Sequence, residues 1–403
     1  MESEERPFDV MVAGHLCLDI IPKFATDATS LNDLLRPGQL VEVGEATIST
    51  GGAVSNTGII LKVLGNNVCF SARVGEDAFG KMILDILSSR GNPEGIRVVP
   101  EQASSYTVVL APPKIDRMFL HNPGTNNSFG PEDLRPELLT KCRLFHFGYP
   151  PLMRRMYENE GENLKRIFQT AKECGATTSC DMALPDPNSP AGKAPWRKIL
   201  ENVLPFVDVF VPSIEEAFYM IEPTEFLRRK EEQKGGELID VLTPDEYSRI
   251  ADKLLSMGCK MTTLKAGHRG FYLKTSSLKH LEGMGAASPK NLPIWGSREL
   301  WQPAYRAEYI ASATGSGDSA IAGFLTGLMK GLTPEMTLHC AACVGWQNLQ
   351  ALDAISGVRS WEYTLETVRK GLPLLDTHIH APGWYYSQEH GIWAGPKDPL
   401  NKN

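Results

Sequence analysis

The sequence predicts an α/β protein built on a mostly parallel sheet with helices on both faces. Three observations carry this expectation. From residue 144 onward, short apolar runs alternate with amphipathic stretches of helical period, and strands joined through helices run parallel. Each apolar run ends in a polar cluster, and the carboxyl ends of strands are where open α/β sheets bind ligands. Two glycine-rich turns, Gly51-Gly52 and Gly315-Ser316-Gly317, each open a helix, a geometry that lets backbone approach a ligand closely.

Composition narrows the classes. The chain has 403 residues, 42% apolar and 22% charged, enough for one large α/β domain or two ordinary ones. The net charge of −7, with no basic block, argues against nucleic acid. No window approaches 18 uninterrupted apolar residues, so no membrane span is expected. The first residues, Met1 to Arg6, are polar and acidic and lack a secretory pattern. Of the eight cysteines only Cys340 and Cys343 are close. A zinc site needs a second ligand pair, so these two read as small residues on a buried helix. Reduced thiols in a cytoplasmic compartment are the expectation.

In chain order, Val10 to Ala13 is a buried strand closed by Gly14. Asp19, shortly after it, reads as a solvated loop residue or as a polar group at the sheet's carboxyl edge. Residues 38–50 carry Val41, Val43, Ala46 and Ile48 between polar residues, the pattern of half-exposed strand with a turn near Gly44. Gly51 and Gly52 open a helix through Ile59, Ile60, Val63 and Leu64. Asn56, just beyond them, is either a cap or a buried amide able to hydrogen-bond a polyol. Val68 to Val74 is a strand, and Gly75 to Met82 then nearly matches a P-loop. Met82 stands where a metal-binding Ser or Thr is required, and Glu76 and Asp77 put negative charge in the supposed cradle, so no phosphate site is expected there.

Tyr106 to Leu110 and Arg117 to His121 read as an antiparallel pair leading to a polar turn that contains Asn126. Strands follow at Leu144 to Phe147, at Thr177 to Cys180 before Asp181, at Val207 to Val211 before Ser213 and Glu216, and at Met261 to Leu264 before Lys265, Gly267 and Gly270. Helices 162–174 and 244–257 lie between them, and the charge run Arg228 to Glu237 reads as a solvated face. Near the end, Asp376, His378 and His380 lack a recognised metal spacing. The aromatic residues that follow read as a tail packed on its own domain or on a partner subunit.

The chain is organised around Thr314 to Ser319 and the helix running on to Gly331. Ile321, Phe324, Leu325 and Leu328 share one face, and Ala320, Ala322, Gly323 and Gly327 permit close packing. A glycine turn opening a helix aims free amides and the positive end of the helix dipole at one spot, an anion site. Asp318 stands at its mouth. A carboxylate repels phosphate, so it fits a base that takes a proton from an attacking hydroxyl, unless it serves only as a first-turn capping residue.

These features together resemble the PfkB, or ribokinase-like, family of carbohydrate kinases, over roughly Asp9 to Ser360. Two separated signatures carry the resemblance: Gly51-Gly52 through Asn56 to Gly75-Glu76-Asp77-Ala78-Phe79-Gly80, and Ala313 through Gly315, Gly317 and Asp318 to Leu325. The resemblance implies ATP-dependent phosphorylation of a hydroxyl on a sugar, nucleoside or related polyol, and a body covered by a small β lid. The strands near 38–50 and 106–121 fit that lid. It implies that Asp318 is the catalytic base and that the backbone of Gly315, Ser316 and Gly317 is the anion hole. It further implies that Asp19, Gly51, Gly52 and Asn56 contact substrate, and Asn126 is expected to bind it too, among the side chains that set its identity. Glu216 resembles the acid that orders Mg²⁺ and its waters. Ser213, Lys265, Gly267 and Gly270 fall along the nucleotide.

Two departures stand out. Ser213 replaces the usual Asn of the Asn-x-x-Glu motif, and Ser312 replaces an Asp tied to a monovalent-cation loop, which puts potassium activation in doubt. The expectation is a kinase domain over residues 1–365 with a C-terminal extension over 366–403, using ATP and Mg²⁺ on a small sugar or polyol. A homodimer through the lid is expected by analogy alone. The alternatives are a nucleoside kinase of the same family and a non-catalytic sugar sensor or scaffold.

Overall fold

The computed structural model describes residues 6–24, 30, 36–113, 115, 117–377, 379 and 381–401. Its strands form two sheets. In chain order they are β1 (Phe8–Gly14), β2 (Cys17–Pro22), β3 (Ala46–Gly51), β4 (Val68–Gly75), β5 (Asn92–Val99), β6 (Tyr106–Leu110), β7 (Met118–Asn122), β8 (Cys142–Gly148), β9 (Thr177–Cys180), β10 (Val209–Phe210), β11 (Met261–Lys265), β12 (Phe271–Thr275), β13 (Glu299–Gln302), β14 (Tyr385–Ser387) and β15 (Ile392–Ala394). Among the described residues the helices of eight residues or more are α1 (Ala53–Val63), α2 (Ala78–Ser88), α3 (Glu162–Glu173), α4 (Trp196–Val203), α5 (Ile214–Ile221), α6 (Pro223–Glu232), α7 (Pro244–Ser256), α8 (Ser316–Met329), α9 (Pro334–Asn348) and α10 (Trp361–Lys370).

The large sheet has eleven strands in the order β14-β15-β13-β12-β11-β10-β9-β8-β1-β4-β5. From β11 to β5 every neighbouring pair is parallel. The other four strands are antiparallel. Side chains alternate across the parallel part. Met11 and Ala13 of β1 enter an apolar layer shared with α3, α4, α5 and α7. Val10 and Val12 enter the opposite layer, shared with α1, α2, α8 and α9. That two-residue period lets one short strand feed two cores.

The small sheet has the order β3-β2-β6-β7. Only His15 and Leu16 separate β1 from β2, so this sheet is hung directly on the carboxyl end of a central strand of the large one. Its make-up corrects two expectations. Asp19 is neither a loop residue nor at the edge of the large sheet; it lies inside β2, paired with Ser49 of β3. The strand expected over 38–50 begins only at Ala46, because its partner β2 ends at Pro22, the residue opposite Ala46, and proline offers no further donor. The pair expected over 106–121 is present as β6 and β7.

The P-loop-like stretch is structural. Asp77 caps α2 by accepting from the Gly80 amide at 2.7 Å, and it also accepts from the Ser104 amide at 2.8 Å. The Gly80 amide, which a phosphate cradle would need, faces this carboxylate instead. Cys340 and Cys343 are both buried in α9, all eight cysteines are free thiols, and α6 is an exposed helix laced by Arg228–Glu225 and Arg228–Glu232 pairs.

The aromatic tail packs on its own chain. β15 pairs with β13, and the Trp384 ring lies 6.1 Å from that of Trp301 and 6.3 Å from that of Tyr272. Arg298 anchors the end of this segment through Asp398 at 3.0 Å and Glu335 at 2.5 Å. His378 and His380 lie outside the described residues. Among the described residues no group of three or more metal-ligating side chains converges, and no helix is long and apolar enough to cross a membrane.

Candidate active site

α8 starts at the carboxyl edge of the large sheet. Its N-cap, Gly315, sits at φ +76°, and a Cβ there would lie 2.5 Å from the Ala354 methyl, so only glycine fits. The Ser316 amide bonds back to the Ala313 carbonyl at 3.2 Å and the Ser319 amide to Gly315 at 2.8 Å. The Gly317 and Asp318 amides of the first turn are left as donors at the positive end of the helix.

Asp318 is buried, and its carboxylate makes no capping bond to its own helix. Instead it turns toward α1 and the end of β8. The Tyr149 hydroxyl lies 2.7 Å from both carboxylate oxygens, Asn56 Nδ2 donates to Oδ2 at 3.1 Å, and Thr57 Oγ1 donates to Oδ1 at 3.1 Å. Burial raises the Asp318 pKa, and the bond from Tyr149, the charge of Lys265 and the bonds from Asn56 and Thr57 oppose that rise without cancelling it.

Asn56 has a buried Oδ1 with no partner, an acceptor left open beside the carboxylate. The glycine pair before it makes room for neighbours. A Cβ on Gly51 would fall 2.2 Å from the Asp19 carboxylate, and one on Gly52, at φ +86°, would fall 2.5 Å from His15 Nδ1. Asp19 accepts from the Cys17 thiol at 3.3 Å, and burial raises its pKa. His15 meets His121 of β7 with 3.3 Å between their Nε2 atoms. Burial, with His121 alongside, lowers the His15 pKa to about 3, so its ring is neutral.

On the other side of α8, the ends of β9, β10 and β11 bring three residues together. Lys265 Nζ is 2.5 Å from Asp181 Oδ1 and 4.0 Å from Glu216 Oε2. Ser213 and Glu216 form a reciprocal cap on α5, with the Ser213 amide donating to Glu216 at 2.6 Å and the Glu216 amide donating to Ser213 Oγ at 3.1 Å. Gly267 and Gly270 bound the turn between β11 and β12. Arg269 of that turn is buried, donates to the Ile239 carbonyl at 2.7 Å and stacks on Trp301 at 5.1 Å.

Asp318, Asn56, the Gly315–Gly317 turn, Lys265 and Glu216 therefore form one continuous cluster, with Asp19 and Gly51 of the small sheet, and Gly52 after them, adjoining it. Asn126 is not free to join them: its Oδ1 accepts from the Leu16 amide at 3.2 Å and its Nδ2 donates to the Leu16 carbonyl at 3.0 Å, fixing the link from β1 to β2. Ser312 accepts from the Thr314 amide at 3.1 Å and from Arg117 at 3.0 Å, which ties the small sheet to the loop before α8.

Three residues were not singled out from sequence. Thr57 follows Asn56 directly, and Asp181 ends a strand as Lys265 does, so both carried a positional signal. Tyr149 carried none: it stands before Pro150 in a left-handed conformation, φ +66°, that proline-preceding residues avoid. Such backbone strain persists where surrounding structure enforces it.

A family model described as pfkB family carbohydrate kinase matches residues 9–361. The chain belongs to the pfkB family. It is 27% identical over 210 residues to probable fructokinase-4 of Arabidopsis thaliana, a match covering 51% of this chain and 60% of that protein. The chain thus spans about three fifths of that relative, and 48% of probable fructokinase-3 of the same plant, at 27% identity over 44% of this chain. Among solved structures, ribokinase of Arabidopsis thaliana complexed with ribose and ATP superposes with a TM-score of 0.67 at 18% identity, covering 90% of this chain and 99% of that one. A putative ribokinase II from E. coli, solved with ATP and Mg²⁺, gives 0.64 at 18% identity, covering 90% and 99%. The pfkB chain described here therefore has the ribokinase fold: a mostly parallel sheet flanked by helices, with a separate small sheet.

Proposed function

We propose that this protein is an ATP-dependent kinase that phosphorylates a hydroxyl of a sugar or related polyol. The observation that carries the reading is the Asp318 carboxylate, buried one residue beyond the Gly315–Gly317 turn and bound to three donors. Phosphoryl transfer asks a protein chiefly for positioning and charge stabilisation. Asp318 accepts the proton of the acceptor hydroxyl, whose oxygen forms the new bond to the γ-phosphorus while the bond to the departing ADP oxygen breaks. The turn and the dipole of α8 receive the transferring oxygens. Asp19, Gly51, Gly52 and Asn56 border the acceptor side, with the open Asn56 Oδ1 ready for a neighbouring hydroxyl. Asn126 serves that side indirectly, through Leu16. Ser213, Lys265, Gly267 and Gly270 border the nucleotide side.

Mg²⁺ fits the donor set. A hard cation takes one or two carboxylates and completes its shell with phosphate and water, and Glu216 offers one beside the turn, 4.0 Å from Lys265. When bound it would neutralise charge on the phosphates. The fructokinases among the relatives support a sugar acceptor over a nucleoside.

The test is an ADP-release assay on the purified protein with MgATP against sugars, polyols and nucleosides, with and without potassium. Transfer to one sugar or polyol is the expected result. Transfer to nucleosides alone overturns the acceptor class. Silence across the panel, with sugars still raising the melting temperature, overturns the kinase reading in favour of a sensor.

A further inference from the structure

We propose that Lys265 is a catalytic residue whose ammonium leaves Asp181 to meet the phosphoryl group in transfer, with Asp181 as the carboxylate that positions it. This rests on the kinase reading above.

The same sheet offers a comparison between two buried lysine–aspartate pairs. At the amino ends of its strands, Lys172 bonds both oxygens of Asp208, at 3.0 and 2.8 Å, and the carbonyls of Gly283 and Met284, at 3.1 and 3.2 Å. Every proton of that ammonium is used, and Asp208 also accepts from the Thr178 amide and hydroxyl. That pair is built to hold structure. At the carboxyl ends, Lys265 makes one hydrogen bond among the described residues, to Asp181, with Glu216 farther away at 4.0 Å. An ammonium has three donors. A cation taken largely out of water, its side chain 14% exposed, and left with donors to spare is arranged for a ligand rather than for stability.

Its surroundings identify that ligand. The stem runs beside the glycine turn: a Cβ on Gly317 would lie 3.5 Å from Lys265 Cδ and 3.8 Å from Cε and Nζ. The ammonium therefore stands next to the first-turn amides of α8. Around it are three carboxylates, Asp181, Glu216 and Asp318, all of which act on its charge. The cluster holds three acids to one base, and a cation that can turn toward the incoming phosphoryl group offsets the repulsion they exert on it. Lysine suits this role, being a compact charge on a flexible stem, where arginine's planar fork would be fixed on the carboxylates. When Lys265 turns to the phosphoryl oxygens, its positive charge opposes the negative charge that builds as the bond to ADP breaks. No proton changes hands in that motion.

The experiment uses Lys265→Met and, because that change alone strands a buried carboxylate, the double variant Asp181→Asn/Lys265→Met, which removes both charges. Turnover is measured with the best acceptor, and ATP and ADP binding are measured by calorimetry with Mg²⁺ and no acceptor. Loss of a donor that stabilises charge in the transition state typically costs about 10²–10³ in kcat, and that loss is expected in both variants. ADP affinity should change less than about threefold, while the preference for ATP over ADP disappears, since the cation faces the terminal phosphate. A folded double variant that turns over within about threefold of wild type, or that keeps its preference for ATP, overturns the proposal. A wild type that binds ATP but phosphorylates nothing defeats the kinase reading alone, and the ATP-over-ADP preference then still decides where Lys265 acts. A wild type that binds neither nucleotide overturns both.

Discussion

As the proposed base, Asp318 can act only while ionised, and its environment sets the pH at which that holds. Burial raises its pKa above the ordinary carboxylate value of about 4, and Tyr149 contributes the largest opposing bond. The acid limb of kcat/KM should therefore lie above that of an exposed carboxylate and fall away as the pH drops through the raised pKa. Tyr149→Phe removes the donor shared by both oxygens, so its limb should move to higher pH, and a pH–rate profile superimposable on that of wild type would refute this role for the phenol. Local sequence was enough to nominate Asp318, Asn56 and the glycine turns, because each depends on residues within one helical turn. Tyr149 was invisible because its partner lies 169 positions away and only the folded sheet brings the two together.

Single elements carry their own tests. Asp77 caps α2 and ties it to Ser104. Burial pushes its pKa up, but the amides of Ser104 and Gly80 outweigh that and hold it below the usual carboxylate range. Its stabilising contribution is thus fully present above the unfolded pKa near 4 and is lost as pH falls through the lower folded value. Asp77→Ala should cost about 1–2 kcal/mol at neutral pH, with less difference from wild type in acid and with kcat unchanged. Urea melts at two pH values check this; equal destabilisation at both would contradict it. The small sheet was only half legible. β6 and β7 alternate clearly, whereas β2 is six residues long and is half-buried from Asp19 to Pro22, so Asp19 passed for a loop residue.

Across the whole molecule, the parallel half of the large sheet was readable because each buried strand is followed by a helix with its own period. The antiparallel half was not. β12 follows β11 after a short turn, and β14 and β15 are three residues each, too short for any pattern to register. Yet β14 and β15 form the end of an eleven-stranded sheet, locked by Arg298 between Asp398 and Glu335. Asp398→Ala leaves the buried guanidinium with one carboxylate and should destabilise the fold by about 3–5 kcal/mol, the usual result of breaking a buried pair. Chemical denaturation measures this, and a loss under about 1 kcal/mol would mean that the C-terminal segment is a loosely attached appendage.

The most direct test of the central claim compares Asp318→Asn with the wild-type protein on the acceptor found in the panel. Thermal shift and calorimetry establish whether the variant still folds and binds both substrates, and steady-state kinetics measures turnover. The account predicts retained binding with kcat lowered by about 10²–10⁴, the worth of general-base help. Retained binding with turnover near that of wild type would contradict it and move the base elsewhere in the cluster.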